Sequence, residues 1–346
     1  MTWYFILLLG AATPAIFARL TARGAWWQIF SIVIAIFVGL RYQVGPDWPS
    51  YIEILDYDSG RDIRDILTSS EPGYHILSWV SSSMGLGIYG VNFLTSAIFV
   101  FGLTKFCSTF DEKWMALASS IPFLVIVVAM SANRQAPAIG LELYLLSVWK
   151  SSGIIKRSLF IVLASTFHVS AIFLMIFAVL DLRLNLILKI IIASVASFAV
   201  YSGIADSTSF MRYSSSYVEH SDTFAAAGSL QQILVPGIPA IIIIIFWKTF
   251  SRMTDNWTVI RNLSLFLIIL IPFNFAYSVA AARLSYYGFA VPIFFYANVV
   301  RCTRNTKLRK AIRLVTLFSF FVTLSLWIAF ANHSTYYIPY ENVLFN

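Results

Sequence analysis

The sequence predicts an all-α polytopic integral membrane protein, with about ten transmembrane helices plus a re-entrant or broken segment around an outward-facing polar cavity. Three observations carry this. Hydrophobic residues make up 59% of the 346 and charged residues only 12%, and the mean hydropathy is +0.79, whereas soluble domains are about one-quarter charged. Apolar segments of about 16 to 22 residues recur from end to end, close to the ~20 that a spanning helix needs. Runs such as residues 238–247 lack the alternation of barrel strands, which leaves helices as the spanning structure.

The apolar segments are 3–18, 25–40, 87–106, 114–131, 136–149, 158–180, 188–202, 231–247, 259–280, 284–300 and 314–331. The first has no basic residue ahead of it, so it reads as a retained span rather than a cleaved signal. Were all eleven to cross with the N-terminus outside, nine of the 24 Lys and Arg would lie inside and fifteen outside, the reverse of the positive-inside bias. Letting 158–180 enter and return on one side gives eighteen inside and six outside. A re-entrant segment survives only when buried in protein or lining a wet cavity, which places His168 at a cavity apex. The net charge of +8 is spread over short linkers, which suits orientation in a membrane and argues against nucleic acid as a partner. Cys107 and Cys302 both fall at inner span ends, so no disulfide is expected. No repeat or low-complexity stretch divides the chain. It reads as a single transmembrane domain, 1–346, with outer loops at about 41–86 and 203–230.

Under this topology the isolated polar groups of the apolar regions collect on the outer side. Arg41 to Tyr51 puts an Arg, an Asp and aromatics directly after an apolar span, and from there through Tyr74 seven acids stand against three arginines. Asp47 sits between Gly45–Pro46 and Trp48–Pro49, a stiff turn. It can accept a proton from a sugar hydroxyl, pair with Arg41 or Arg134, or cap the turn. Glu71 has the same choice, because an acid suits the N-terminus of a short helix over 74–84. Arg134 and Arg283 fall in tight connections between apolar runs, where an unpaired charge is costly. Each either snorkels to headgroups or offers its planar fork to a phosphate or pyrophosphate. His168 lies deep in an apolar segment, where it is either hydrogen-bonded structure or a general base near neutral pH. Tyrosines in the 212–217 loop, at 286–287 and at 336–340 serve as interfacial anchors or as a carbohydrate platform. No His/Cys cluster marks a transition metal, and no cofactor is expected.

Taken in order, Arg41–Tyr42, Val44 to Asp47, Tyr51, Glu71 to Tyr74, Asn133 to Ala136, Phe167 to Ala171, and Arg283 with Tyr286 resemble the EpsG family of bacterial polysaccharide polymerases, relatives of the Wzy-type O-antigen and capsule polymerases. Pro46, where the family commonly has a small polar residue, and Pro137 depart from the pattern without removing an ionisable group. The resemblance implies glycosyl transfer on the outer face of the bacterial cytoplasmic membrane. The donor is a glycan on a polyprenyl diphosphate, and a lipid-linked repeat unit supplies the acceptor hydroxyl. A chain-length regulator and a flippase are the implied protein partners. Diphosphate departs without a proton but needs positive charge, which Arg134 and Arg283 supply with help from Arg41 or Arg212. The acceptor hydroxyl must lose a proton, a task for His168 or Asp47, with Glu71 placing the acceptor. Gln135, Tyr51 and Tyr286 complete the implied substrate-binding set. A lipid-linked-sugar flippase or other transporter would use the same residues, although transporters often carry duplicated halves, and so would a ligase or acyltransferase working on the same face.

Overall fold

The computed structural model describes residues 1–17, 24–182, 184, 185, 187–189, 191 and 226–345. The described chain is helical except for one short ladder, in which Arg41–Tyr42 pairs antiparallel with Glu341–Asn342. Among the described residues, four helices are long and apolar enough to cross a bilayer: Gly87–Cys107, Lys113–Ser131, Gly228–Ile245 and Thr306–Phe330. Ser278–Gly288 and Ala290–Cys302 form a further candidate, bent by 47° between them. Thr2–Ile16, Gly24–Gly39, Val169–Leu180 and Trp257–Phe273 are apolar but shorter. This is an all-α polytopic membrane fold. The expected span 188–202 and the 203–230 loop lie largely outside the described residues.

Breaks in the helices differ from the sequence expectation in one functionally relevant place. The connection expected near 281–283 falls instead between Phe273 and Ser278, so Arg283 sits in the last turn of helix Ser278–Ser285 and not in a tight loop. Pro272 lies in the last turn of the preceding helix, Trp257–Phe273. Proline acts differently at Pro122, where residues Ile121–Val128 widen into a π-helix inside Lys113–Ser131. There the longer turn absorbs the missing hydrogen bond without ending the span.

The chain packs as two compact units. One comprises Met1–Ser147, Thr166–His168 and Tyr296–Asn346. Its centre is the pair of helices Gly87–Cys107 and Gln135–Ser147, which meet backbone to backbone at Gly102 and Gly140: a Cβ on Gly102 would overlap the Gly140 carbonyl. Gly39 gives Gly24–Gly39 the same close approach, because its Cβ would lie 2.7 Å from the Phe93 Cα. In lipid, where apolar burial gives helices little reason to associate, such small-residue contacts supply packing and shape. The C-terminal tail closes this unit. Tyr4 donates to the Tyr337 carbonyl (2.7 Å), Tyr337 to the Val127 carbonyl (3.0 Å) and Tyr340 to the Phe37 carbonyl (2.8 Å). The Gly45 N–H donates to the Tyr336 carbonyl (2.9 Å). Two of the phenols that the sequence offered to sugars are therefore structural ties.

The other unit comprises Val148–Ser165 and Val169–Phe295. Here the segment expected to be re-entrant folds back on itself. Arg157, at its start, pairs with Asp181, at its end, at 2.5 Å, and Ser158 lies 3.5 Å from the Met175 sulfur. Trp149 ties into the same point, donating its indole N–H to Asp181 at 3.0 Å and lying under the Arg157 guanidinium.

Ion pairs sort by the sides expected from charge. Linkers expected inside pair among themselves: Arg301 with Asp111 and Arg313 with Glu112 in the first unit, Lys150 with Asp255 in the second. The exposed pairs Arg301–Asp111 and Lys150–Asp255 add little stability, but all three require each set of linkers to share a side.

Candidate functional site

Both predicted acids occupy the residue preceding a helix, yet neither carboxylate caps it. Asp47 precedes Trp48–Ser59 and Glu71 precedes Pro72–Ser83, with no side-chain capping bond in either case. Both helices carry a proline in the first turn, where one N–H is missing anyway. The carboxylates are thus released for other partners. Asp47 accepts from the Ser131 hydroxyl at 3.1 Å. The turn carrying it depends on Gly45, whose φ of +105° and whose proximity to the Met130 carbonyl, 2.5 Å from where a Cβ would stand, both exclude a side chain.

Glu71 joins two groups from distant parts of the sequence. Its Oε1 lies 2.7 Å from His168 Nδ1 and its Oε2 lies 2.8 Å from Arg134 Nη1. Glu71 is 1% exposed and the Arg134 side chain 27%. A buried carboxylate requires such compensation, and breaking one half would strand the charge. Arg134 comes from the tight Ala132–Arg134 connection between Lys113–Ser131 and Gln135–Ser147. His168 marks the break after helix Ile154–Phe167, before the 3-10 turn Val169–Leu174. Gly73, beside Glu71, makes room for this tip, because a Cβ there would meet Thr166. With Nδ1 held by Glu71, His168 Nε2 has no hydrogen-bond partner among the described residues. A carboxylate that fixes one ring nitrogen fixes the tautomer and leaves the other nitrogen to accept a proton.

Arg41 is committed elsewhere. It is 1% exposed and donates to the Val44 carbonyl (3.1 Å), the Val38 carbonyl (2.6 Å) and Asn133 Oδ1 (2.6 Å), and Asn133 in turn donates to Asn92. Burial pulls its pKa down to about 10, opposed first by Tyr51 and then Tyr337, so it stays charged at neutral pH. These bonds hold the 41–47 turn onto the Asn133–Arg134 connection. Lys cannot reach three acceptors arranged around a planar fork. Arg41→Lys is therefore expected to destabilise the protein by about 1 to 3 kcal/mol through an unpaired buried acceptor, read as a lower melting temperature in detergent.

Gln135 opens helix Gln135–Ser147 and is buried. Tyr51 is buried with its ring 5.8 Å from that of Tyr74. In the second unit Tyr286 donates to Gln232 Oε1 at 2.9 Å, and Arg283 is half-buried in its helix. Arg212 lies outside the described residues. Sequence reasoning missed Asn92, Asn133 and Ser131 as partners of the site, and it missed the Asp58–His75 pair. Asn92 had one legible signal, an amide inside an apolar segment; the pairing of Asp58 had none, since it sits among many acids in a polar loop.

A model of the EpsG family matches residues 24–342. No curated protein and no solved structure matches the chain.

Proposed function

The chain belongs to the EpsG family, a family of Wzy-like polysaccharide polymerase-type membrane proteins, and on that premise we propose that it is a glycosyltransferase that joins polyprenyl-diphosphate-linked repeat units into a surface polysaccharide. The observation that carries this reading is the single carboxylate of Glu71 holding an imidazole on one oxygen and a guanidinium on the other. Polymerisation of a lipid-diphosphate sugar can use both groups, the imidazole for the acceptor proton and the guanidinium for the departing charge.

In the proposed reaction the acceptor hydroxyl attacks the anomeric carbon of the donor, and the bond from that carbon to the diphosphate oxygen breaks. The hydroxyl proton passes to His168 Nε2. Glu71 stabilises the imidazolium through Nδ1, a role that needs its negative charge. Arg134 faces the charge that develops on the departing diphosphate. Asp47, bonded to Ser131, orders the turn beside this centre, and Arg41 positions that turn rather than touching substrate. Gln135 and Tyr51 complete the proposed substrate contacts near Arg134. Arg283 and Tyr286 retain the diphosphate and sugar roles that the resemblance implies for them.

This centre is proposed to lie on the outer face of a bacterial cytoplasmic membrane, in a polar cavity among about ten spans, with 158–180 as a re-entrant segment. The basic linkers opposite it support that orientation. The test uses purified protein in nanodiscs with lipid-linked repeat units. Elongated glycans are expected from the wild type, with His168→Ala and Arg134→Ala each lowering the rate by roughly 100-fold or more. Relocation of the lipid without bond formation would make it a carrier, and transfer only to a different acceptor would make it a ligase. Unchanged elongation in both variants would remove the proposed centre.

A further inference from the structure

Glu71 is not the sole buried carboxylate paired with an imidazole on this face. Asp58, in helix Trp48–Ser59, is 0% exposed, and its oxygens lie 2.9 and 2.8 Å from His75 Nδ1. Arg61 stands 3.5 Å from the same carboxylate and donates to the Asp65 carbonyl. Its guanidinium lies over the ring of Tyr57, 4.9 Å from the centroid, and Tyr57 is 65% exposed. His75 follows Glu71 by one helical turn, and its N–H donates to the Glu71 carbonyl at 3.3 Å. The two imidazole–carboxylate pairs therefore neighbour each other along one face of helix Pro72–Ser83.

We propose that Tyr57, Arg61, Asp58 and His75 form an oligosaccharide-binding subsite next to the reacting centre, which holds the non-reacting sugars of the acceptor or of the growing chain. This deepens the polymerase reading and rests on it. Carbohydrate recognition needs a flat apolar surface for the C–H face of a ring, together with polar groups fixed in direction for its hydroxyls. Tyr57 supplies the surface, kept in place by the guanidinium beside it. His75 supplies the fixed polar group: Nδ1 is held by Asp58, while Nε2 has no hydrogen-bond partner among the described residues. A carboxylate serving only to tie two helices together would need neither an exposed phenol nor a cation stacked on it.

The test titrates full-length protein in nanodiscs with the oligosaccharide repeat unit of the host's own surface polysaccharide, freed from its lipid diphosphate. Saturable binding is expected, weakened roughly tenfold by Tyr57→Ala and by His75→Ala and kept within about twofold by Tyr57→Trp. Tyr57 is exposed, so its alanine variant folds even if His75→Ala does not. Absence of binding by the wild type, or wild-type affinity in Tyr57→Ala, overturns the subsite. If lipid-linked units are elongated while Tyr57→Ala binds normally, the subsite alone falls. If nothing is elongated but Tyr57-dependent binding persists, the polymerase reading falls and the subsite stands.

Discussion

Replacing Glu71 by Gln is expected to reduce glycan elongation by roughly 10²- to 10⁴-fold while the protein still purifies as a monodisperse species. The amide has the shape of the carboxylate, so it fills the same space between His168 and Arg134. It lacks the charge. An imidazole that takes the acceptor proton would then be left as an uncompensated cation beside Arg134, and the amide can present either oxygen or N–H to Nδ1, so the tautomer is no longer fixed. Glu71→Asp keeps the charge but is one methylene shorter and cannot reach both partners at 2.7 and 2.8 Å, so an intermediate rate is expected. The measurement is elongation of lipid-linked repeat units at matched protein concentration. Wild-type turnover in Glu71→Gln would show that neither partner works through this carboxylate.

The second large effect is on stability. Gly102→Val is expected to lower the melting temperature in detergent by roughly 2–5 °C, because the added carbons have no room against the Gly140 carbonyl. Overpacking of this kind costs about 1 to 3 kcal/mol or more, and here the obstacle is backbone, which cannot rotate aside as a side chain can. The control is Gly153→Val. Nothing lies within 4 Å of a Cβ at Gly153, so little change is expected there. Equal melting temperatures for the two variants would mean that the helices can separate at no cost.

The helical membrane class was legible because it rests on sums over long windows, in which local exceptions average out. The fold-back of 158–180 had a related signal in the sequence: a segment returning to its own side reconciles the basic linkers, and Arg157 meets Asp181. The helix break before Arg283 was not legible. Only Asn274 and Ser278 interrupt the apolar composition from Phe273 to Ala282, and a proline inside a span stands near a helix end in one context, as at Pro272, and within a widened turn in another, as at Pro122. At the site, residue types pointed to Glu71, Arg134 and His168 but not to their order, since pairings across 63 and 97 positions leave no local trace. Arg41 has a charge beside an apolar span that invites a ligand role, whereas its bonds to the Val38 and Val44 carbonyls, which brace the turn, left no trace in the sequence.

The tie between residues 336–342 and the turn after Arg41 has a consequence for synthesis. Some 290 residues must be made after the turn before the strand that shapes it exists, about 15 to 60 seconds at 5–20 residues per second. During that interval the nascent chain is threaded into the bilayer with its acidic segment unfinished. The turn that carries Asp47 therefore reaches its final shape only after residues 336–342 are made, and a polypeptide stalled short of residue 336 would reside in the membrane with that turn unsupported.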